Sequence, residues 1–323
     1  MKRQLKFRVI TEEVKVNRLQ PLGMATLCAL TAGLAAVAAG AGVFGRGDGR
    51  FETVTSVRGV TYEMSSSGVY AYNSQQVVSE GIGWDVFTLF LVVPAMLLAL
   101  PFIARGSFRG RLVAVGLLGY FLYQYLEYSV TWAFGPLFPL FIVINAASLA
   151  GLVWLGTSVA RDPAARVSVT RFPGRAFGLA SVMMAALLTM MWAQRIALGL
   201  SGDLAAAGLR GETTMVVQAF DLGLMVPTSL FIGALAWRRT TAGAIMSAAF
   251  SVTAVAMAAA IVAMLISAGV VNGTLELPPI VIFGAFAAVV AWLGSRTFAA
   301  LGVVEHGHFT EPALRTSMAS RPA

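Results

Sequence analysis

Apolar residues in this chain do not alternate with polar ones. They come in unbroken runs of about twenty, parted by short polar connections. About 20 consecutive apolar residues in a helix match the thickness of a bilayer's hydrocarbon core. Eight such runs are read, at 22–44, 82–103, 112–134, 137–159, 176–198, 215–237, 241–269 and 279–300. The pattern predicts an all-α membrane protein, a polytopic bundle of eight transmembrane helices. Continuous runs exclude a β-barrel, whose strands would alternate. The first run is too long for a signal-peptide core and follows a 20-residue tail, so it is read as a span. The expected organisation is a basic cytoplasmic tail over 1–20, one transmembrane domain over 21–303 with an extracytoplasmic loop at 46–80, and a cytoplasmic tail over 304–323.

Composition agrees. Of 323 residues, 58% are hydrophobic and only 12% charged, about half the charged share of a soluble domain. The mean hydropathy is +0.78. Disorder and a water-soluble globule are both excluded. One cysteine, Cys28 in an apolar run, excludes a disulfide scaffold.

Charge sets the expected orientation. Seventeen of the 23 Lys and Arg residues fall on one side of the eight-span layout, in the N-terminal tail, the 104–111 and 160–175 connections, Arg238–Arg239 and the C-terminal tail. Four fall on the other side: Arg46, Arg50, Arg58 and Arg210. Both termini are therefore expected in the cytoplasm. The basic balance is a topology signal, and no nucleic-acid partner is expected, since no soluble segment carries a basic stripe with interleaved aromatics. Basic inner loops make membrane lipid the expected partner.

Two features of organisation stand out. In the 46–80 loop, Val54, Ser56, Val57, Val60 and Tyr62 alternate weakly, which fits either a small β-hairpin over the outer mouth or a polar loop without regular structure. Spans two and six share a motif, GWDVFTLFLVVP and QAFDLGLMVP, an Asp followed by a Pro. The Asp-to-Pro spacing differs between them, but the likeness suggests two parallel four-helix halves of the kind some transporters have.

The residues that are missing narrow the chemistry. All three lysines, Lys2, Lys6 and Lys15, lie in the tail, so no span holds a Schiff-base lysine. Both histidines, His306 and His308, lie in the C-terminal tail, which excludes intramembrane haem ligation and HExxH zinc chemistry. That His-Gly-His segment is read as a solvated tail. No metal site, no cofactor and no catalytic set is expected, and the chain is not read as an enzyme.

Ionisable residues inside spans are costly, at roughly 2.5–3.5 kcal/mol each at mid-bilayer. Here they are few: Asp85, Glu127, Arg195 and Asp221, each placed in the outer third of the layout. Gln124, Asn145, Gln194 and Gln218 fall at similar depth. In span three, Tyr120, Tyr123, Gln124, Glu127 and Tyr128 share one helical face. The expected ligand- or ion-binding set is Asp85, Glu127, Arg195, Asp221, Tyr123, Gln124, Asn145 and Gln218. Three acids against one base suit a cation, with aromatic rings adding cation–π contacts. The small-residue face of span seven and the methionines of span five read as packing.

The QAFDLGLMVP segment with its following Arg pair, and GYFLYQYLEYS with its following GPLFPLFIV, resemble uncharacterised bacterial multi-pass integral membrane proteins over most of residues 80–300. That resemblance implies no activity and transfers no site residues. The leading functional expectation is binding of a small molecule or cation from the extracytoplasmic side, as in a secondary transporter. The alternative is a non-transporting sensor or scaffold with a protein partner, for which a sealed inner half would speak. Third is an intramembrane enzyme acting on a lipid-borne substrate.

Overall fold

The computed structural model describes residues 2–162, 165 and 171–301. Arg166, the His306–His308 segment and the rest of the C-terminal tail lie outside the described residues. The chain is a helical bundle with one small sheet. Its elements are α1 (Lys2–Phe44), β1 (Phe51–Thr55), β2 (Thr61–Ser65), α2 (Gln75–Phe87), α3 (Val93–Ala104), α4 (Phe108–Thr131), α5 (Phe138–Ala160), α6 (Gly174–Leu200), α7 (Val216–Phe220), α8 (Val226–Trp237), α9 (Thr241–Asn272) and α10 (Leu277–Ala300). Seven helical stretches among the described residues are long and apolar enough to cross a membrane, which makes this a multi-pass membrane protein. The remaining long helix, α4, has a span's length at 24 residues, but the polar face noted above lowers its apolarity.

The helices largely follow the apolar runs. One boundary matters: α2 starts at Gln75, capped by Ser74, whose hydroxyl accepts from the Val77 amide. Residues 75–80, expected in the loop, are helical and bring Glu80 to the bundle. The first helix begins at Lys2, inside the expected tail, and runs through Pro21.

The 51–65 segment is a hairpin, with Phe51 opposite Ser65 and Thr55 opposite Thr61. The strands are shorter than the alternation implied, and Val57 stands fully exposed in the turn. Beneath it, the Ser67 hydroxyl and the Arg50 amide bond to Asp48. Those hydrogen bonds, the hydroxyl's above all, hold the Asp48 carboxyl below the usual range. The hairpin also reaches the other half of the molecule, since Arg58 donates to the Thr213 carbonyl at 2.8 Å.

Spans two and six are each interrupted by a π turn, Thr88–Val92 between α2 and α3 and Asp221–Met225 between α7 and α8. In each, the amide after the turn (Val93, Val226) bonds back to its first carbonyl (Thr88, Asp221). A proline follows at once, Pro94 or Pro227. Proline has no N–H and crowds the carbonyl four residues back; a widened turn relieves both. The match continues residue by residue at a constant offset of 133. Gly106 and Arg239 both have positive φ (75° and 52°). Ser107 and Thr240 both cap the next helix, accepting from the amides of Gly110 and Gly243. The buried residues of α5 and α10 share a spacing at an offset of 142, Phe141, Ser148 and Gly151 answering Phe283, Val290 and Leu293. The two halves repeat these features in the same order along the chain. The π turns also correct the sequence alignment, because Asp221 corresponds to Thr88, while Asp85 corresponds to Gln218.

The two centres of the repeats, α4 and α9, pack on each other. Thr253 of α9 donates to the Gly116 carbonyl of α4 at 2.7 Å. The first half encloses an aromatic core of Tyr120, Phe121, Tyr125, Tyr128 and Phe141. At the end opposite the hairpin, Arg111 bonds to Asp162 and the Ser158 hydroxyl, and Arg109 donates to the Leu301 carbonyl at 3.1 Å. An apolar cluster including Leu112, Phe172, Phe177 and Ile232 packs toward that end.

Close helix approach is a requirement at α2–α9: a Cβ at Gly83 would run into the Ala263 carbonyl and the Met264 backbone, while Gly33 on α1 has open space around it. Gly83→Ala is expected to destabilise the protein by about 1–3 kcal/mol through overpacking. Gly33→Ala should be neutral or stabilise by about 0.5–1 kcal/mol. Thermal unfolding in detergent checks both, and equal melting of the two variants would contradict this packing.

Candidate functional site

The polar residues named from sequence separate into two clusters and one outlier. The first cluster is sealed. Asp85 is fully buried. Its carboxylate accepts from the Tyr70 hydroxyl at 2.5 Å and from the Tyr128 hydroxyl at 3.2 Å. Tyr70 descends from the loop after the hairpin, so this loop plugs the bundle here. Burial first, then the neighbouring Asp85, raises the Tyr70 hydroxyl well above its ordinary pKa and keeps it a donor. α1 passes so close that a Cβ at Gly42 would overlap the Asp85 carboxylate. One turn deeper, Thr88 pairs with Tyr120 at 2.7 Å and donates to the Gln124 amide oxygen at 2.9 Å. The amide nitrogen of Gln124 and the indole N–H of Trp84 are buried and make no hydrogen bond among the described residues.

The second cluster joins the halves. Asp221, at the start of its π turn, accepts from the Tyr123 hydroxyl of α4 at 2.5 Å and from the Trp192 indole of α6 at 2.8 Å. Glu127, one helical turn above Tyr123, is only 6% exposed. It is close enough to Asp221 and to Glu80 for their charges to interact. Neither Glu127 nor Asp221 forms an ion pair among the described residues. Arg195 instead lies over the Trp192 ring, 5.4 Å from its centre. Trp84 bridges the clusters, its ring 6.4 Å from Tyr123 and 5.7 Å from Tyr128.

Above the second cluster is a polar vestibule of about 370 Å³. Glu80, Arg195, Arg210, Glu212 and Gln218 line it. Glu80 accepts from the Gln76 amide at 2.5 Å and has the charges of Arg195 and Arg210 nearby. Glu80, Arg210 and Glu212 were not singled out from sequence. The signal for Glu80 was available in the Ser74 cap, which moves the helix start upstream. Nothing in the sequence positions Arg210 and Glu212, whose place depends on how the 201–215 connection folds back.

Asn145 is the outlier. Its amide donates to the Ser129 hydroxyl at 3.0 Å, tying α5 to α4. Gln194 and Arg195 are exposed, with Arg195 facing the vestibule. Among the described residues no cluster of His, Cys, Asp and Glu has the makings of a metal site. The chain matches no family model, no curated protein and no solved structure, so the chemistry rests on these residues alone.

Tyr70→Phe deletes a donor to a buried carboxylate and is expected to cost about 1.5–3 kcal/mol. It should also speed proteolysis of the 46–74 segment, which Tyr70 anchors. Unchanged melting and unchanged cleavage would contradict the plug.

Proposed function

We propose that the protein crosses a bacterial inner membrane eight times, with α4 as the central, most polar span and both termini cytoplasmic, and that it binds a small cation from the outer side. The surplus of basic residues on one side supports the orientation. The Leu301 carbonyl held by Arg109 lies at the same end of the bundle as the turn at Gly106, against which Pro21 of α1 packs. That arrangement supports an even number of crossings.

One observation carries the binding proposal. Glu127 and Asp221 are two inward-facing acids near each other, with hydrogen-bond donors around Asp221 but no ion pair to either acid among the described residues. Buried negative charge in such a place must be met by a proton or a bound cation. Glu80 has Arg195 and Arg210 nearby, so the uncompensated charge sits deeper, at Glu127 and Asp221. The vestibule, lined by Gln218 just before Asp221 and by Thr131 one turn beyond Glu127, supports entry from the outer side, and the Tyr123 ring supports a cation–π contact. Interrupted helices at equivalent places in two parallel repeats support a transporter, in which the site is shared between halves. A second reading, a receptor that does not transport, is favoured by the apolar layer of Leu112, Phe172, Phe177 and Ile232 across the inner end.

The test is thermal stability of the purified protein against sodium, magnesium and methylammonium ions, in wild type and Glu127→Gln. A cation at 100-fold its dissociation constant should add about 2.7 kcal/mol to the wild type, with the gain lost in Glu127→Gln. No response to any cation, or an equal response in both proteins, overturns the proposal. Uptake into liposomes then separates transport from reception.

A further inference from the structure

The repeat exposes a difference between the two halves. In the first half, the space among α1, α3, α4 and α5 is filled by Phe121 and Tyr125, both fully buried. At the offset of 133 their counterparts on α9 are Ala254 and Ala258. There the second half holds a cavity of about 80 Å³ among α6, α8, α9 and α10. Interiors are normally packed to crystal density; where the first half places two aromatic rings, the second places two methyl groups beside open space. Ala254 and Ala258 line the cavity, as do Met184, Met225 and Met257. Methionine side chains adapt to varied apolar shapes. The cavity's one charged lining residue is Asp221, whose carboxylate belongs to the site above.

We infer that the second-half cavity is the tail pocket of that site, and that the ligand is a short-chain alkylammonium ion. The ammonium group pairs with Asp221 and Glu127, and the alkyl chain lies among the methionines where the first half carries Phe121 and Tyr125. Charge complementarity sets the head. Both Asp221 oxygens take neutral donors, and a carboxylate has further lone pairs to offer an N–H group. Glu127, nine-tenths buried, makes no hydrogen bond among the described residues. Volume sets the tail: a cavity of about 150 Å³ holds benzene, so one of about 80 Å³ holds about half as many heavy atoms, roughly three. A bare metal ion would use the carboxylates and leave the cavity unused.

This inference rests on the cation-binding proposal but fails separately from it. The experiment is a binding series of n-alkylammonium ions from methyl to hexyl, measured by calorimetry on the protein in nanodiscs. Affinity should rise about fourfold per added methylene up to propyl or butyl and then level off. Ala254→Phe, which restores the first half's residue, should keep methylammonium binding and abolish the dependence on chain length. Ala258→Leu is the smaller filling variant should Ala254→Phe not fold, and should act the same way. Methylammonium binding with a flat series in wild type overturns the tail pocket and leaves the cation site standing. A chain-length gain that survives both filling variants overturns it as well. No binding of any member overturns both.

Discussion

A helix that carries tyrosines, a glutamine and a glutamate along its length has no tolerable place against lipid. α4 is that helix, and the bundle is built around finding it partners. Hydrocarbon supplies no hydrogen bonds, so each polar group needs one from protein. Tyr125 donates to the Ala35 carbonyl of α1 at 3.1 Å, Tyr128 to Asp85 of α2, and Tyr123 to Asp221 of the second half. Tyr120 and Gln124 share Thr88. These bonds reach three neighbouring segments from both repeats. Glu127 is the exception on this face among the described residues, one turn from Thr131, which lines the vestibule.

The repeat explains how such a centre is assembled. Two copies of an interrupted helix, each broken by a π turn before proline, present a residue at the same point toward the middle. In one copy it is Thr88, satisfied within its own half. In the other it is Asp221, satisfied across the interface by Tyr123. The copies have diverged in opposite directions around that point, with aromatic packing in α4 and small residues in α9. The resulting asymmetry gives one half a filled core and the other a cavity beside a carboxylate.

Much of this was legible in the sequence. Continuous apolar runs gave the spans, because the hydrocarbon core imposes their length whatever the packing. The i, i+3, i+4 spacing from Tyr120 to Tyr128 marked α4's buried face. The grouping of the acids was less legible. Asp85, Glu127, Asp221 and Arg195 share a depth, and depth alone suggested one pocket, yet Asp85 is closed off by Tyr70 from a loop whose course no periodicity encodes. The parallel halves were visible in the shared Asp and Pro, but anchoring the alignment on the acids obscured the register. Only the π turn, a hydrogen-bonding feature, pairs Thr88 with Asp221. With that register, the exchange of Phe121 and Tyr125 for Ala254 and Ala258 can be read directly from the chain.

The central claim is that Glu127 is a site carboxyl whose charge is answered by a ligand from the outer face. Infrared difference spectroscopy of the protein in lipid, with and without methylammonium, observes that carboxyl directly, its band assigned by its disappearance in Glu127→Gln. A shift of the Glu127 band on adding the cation is the predicted result. A Glu127 band that stays unchanged while the cation is bound would contradict the account.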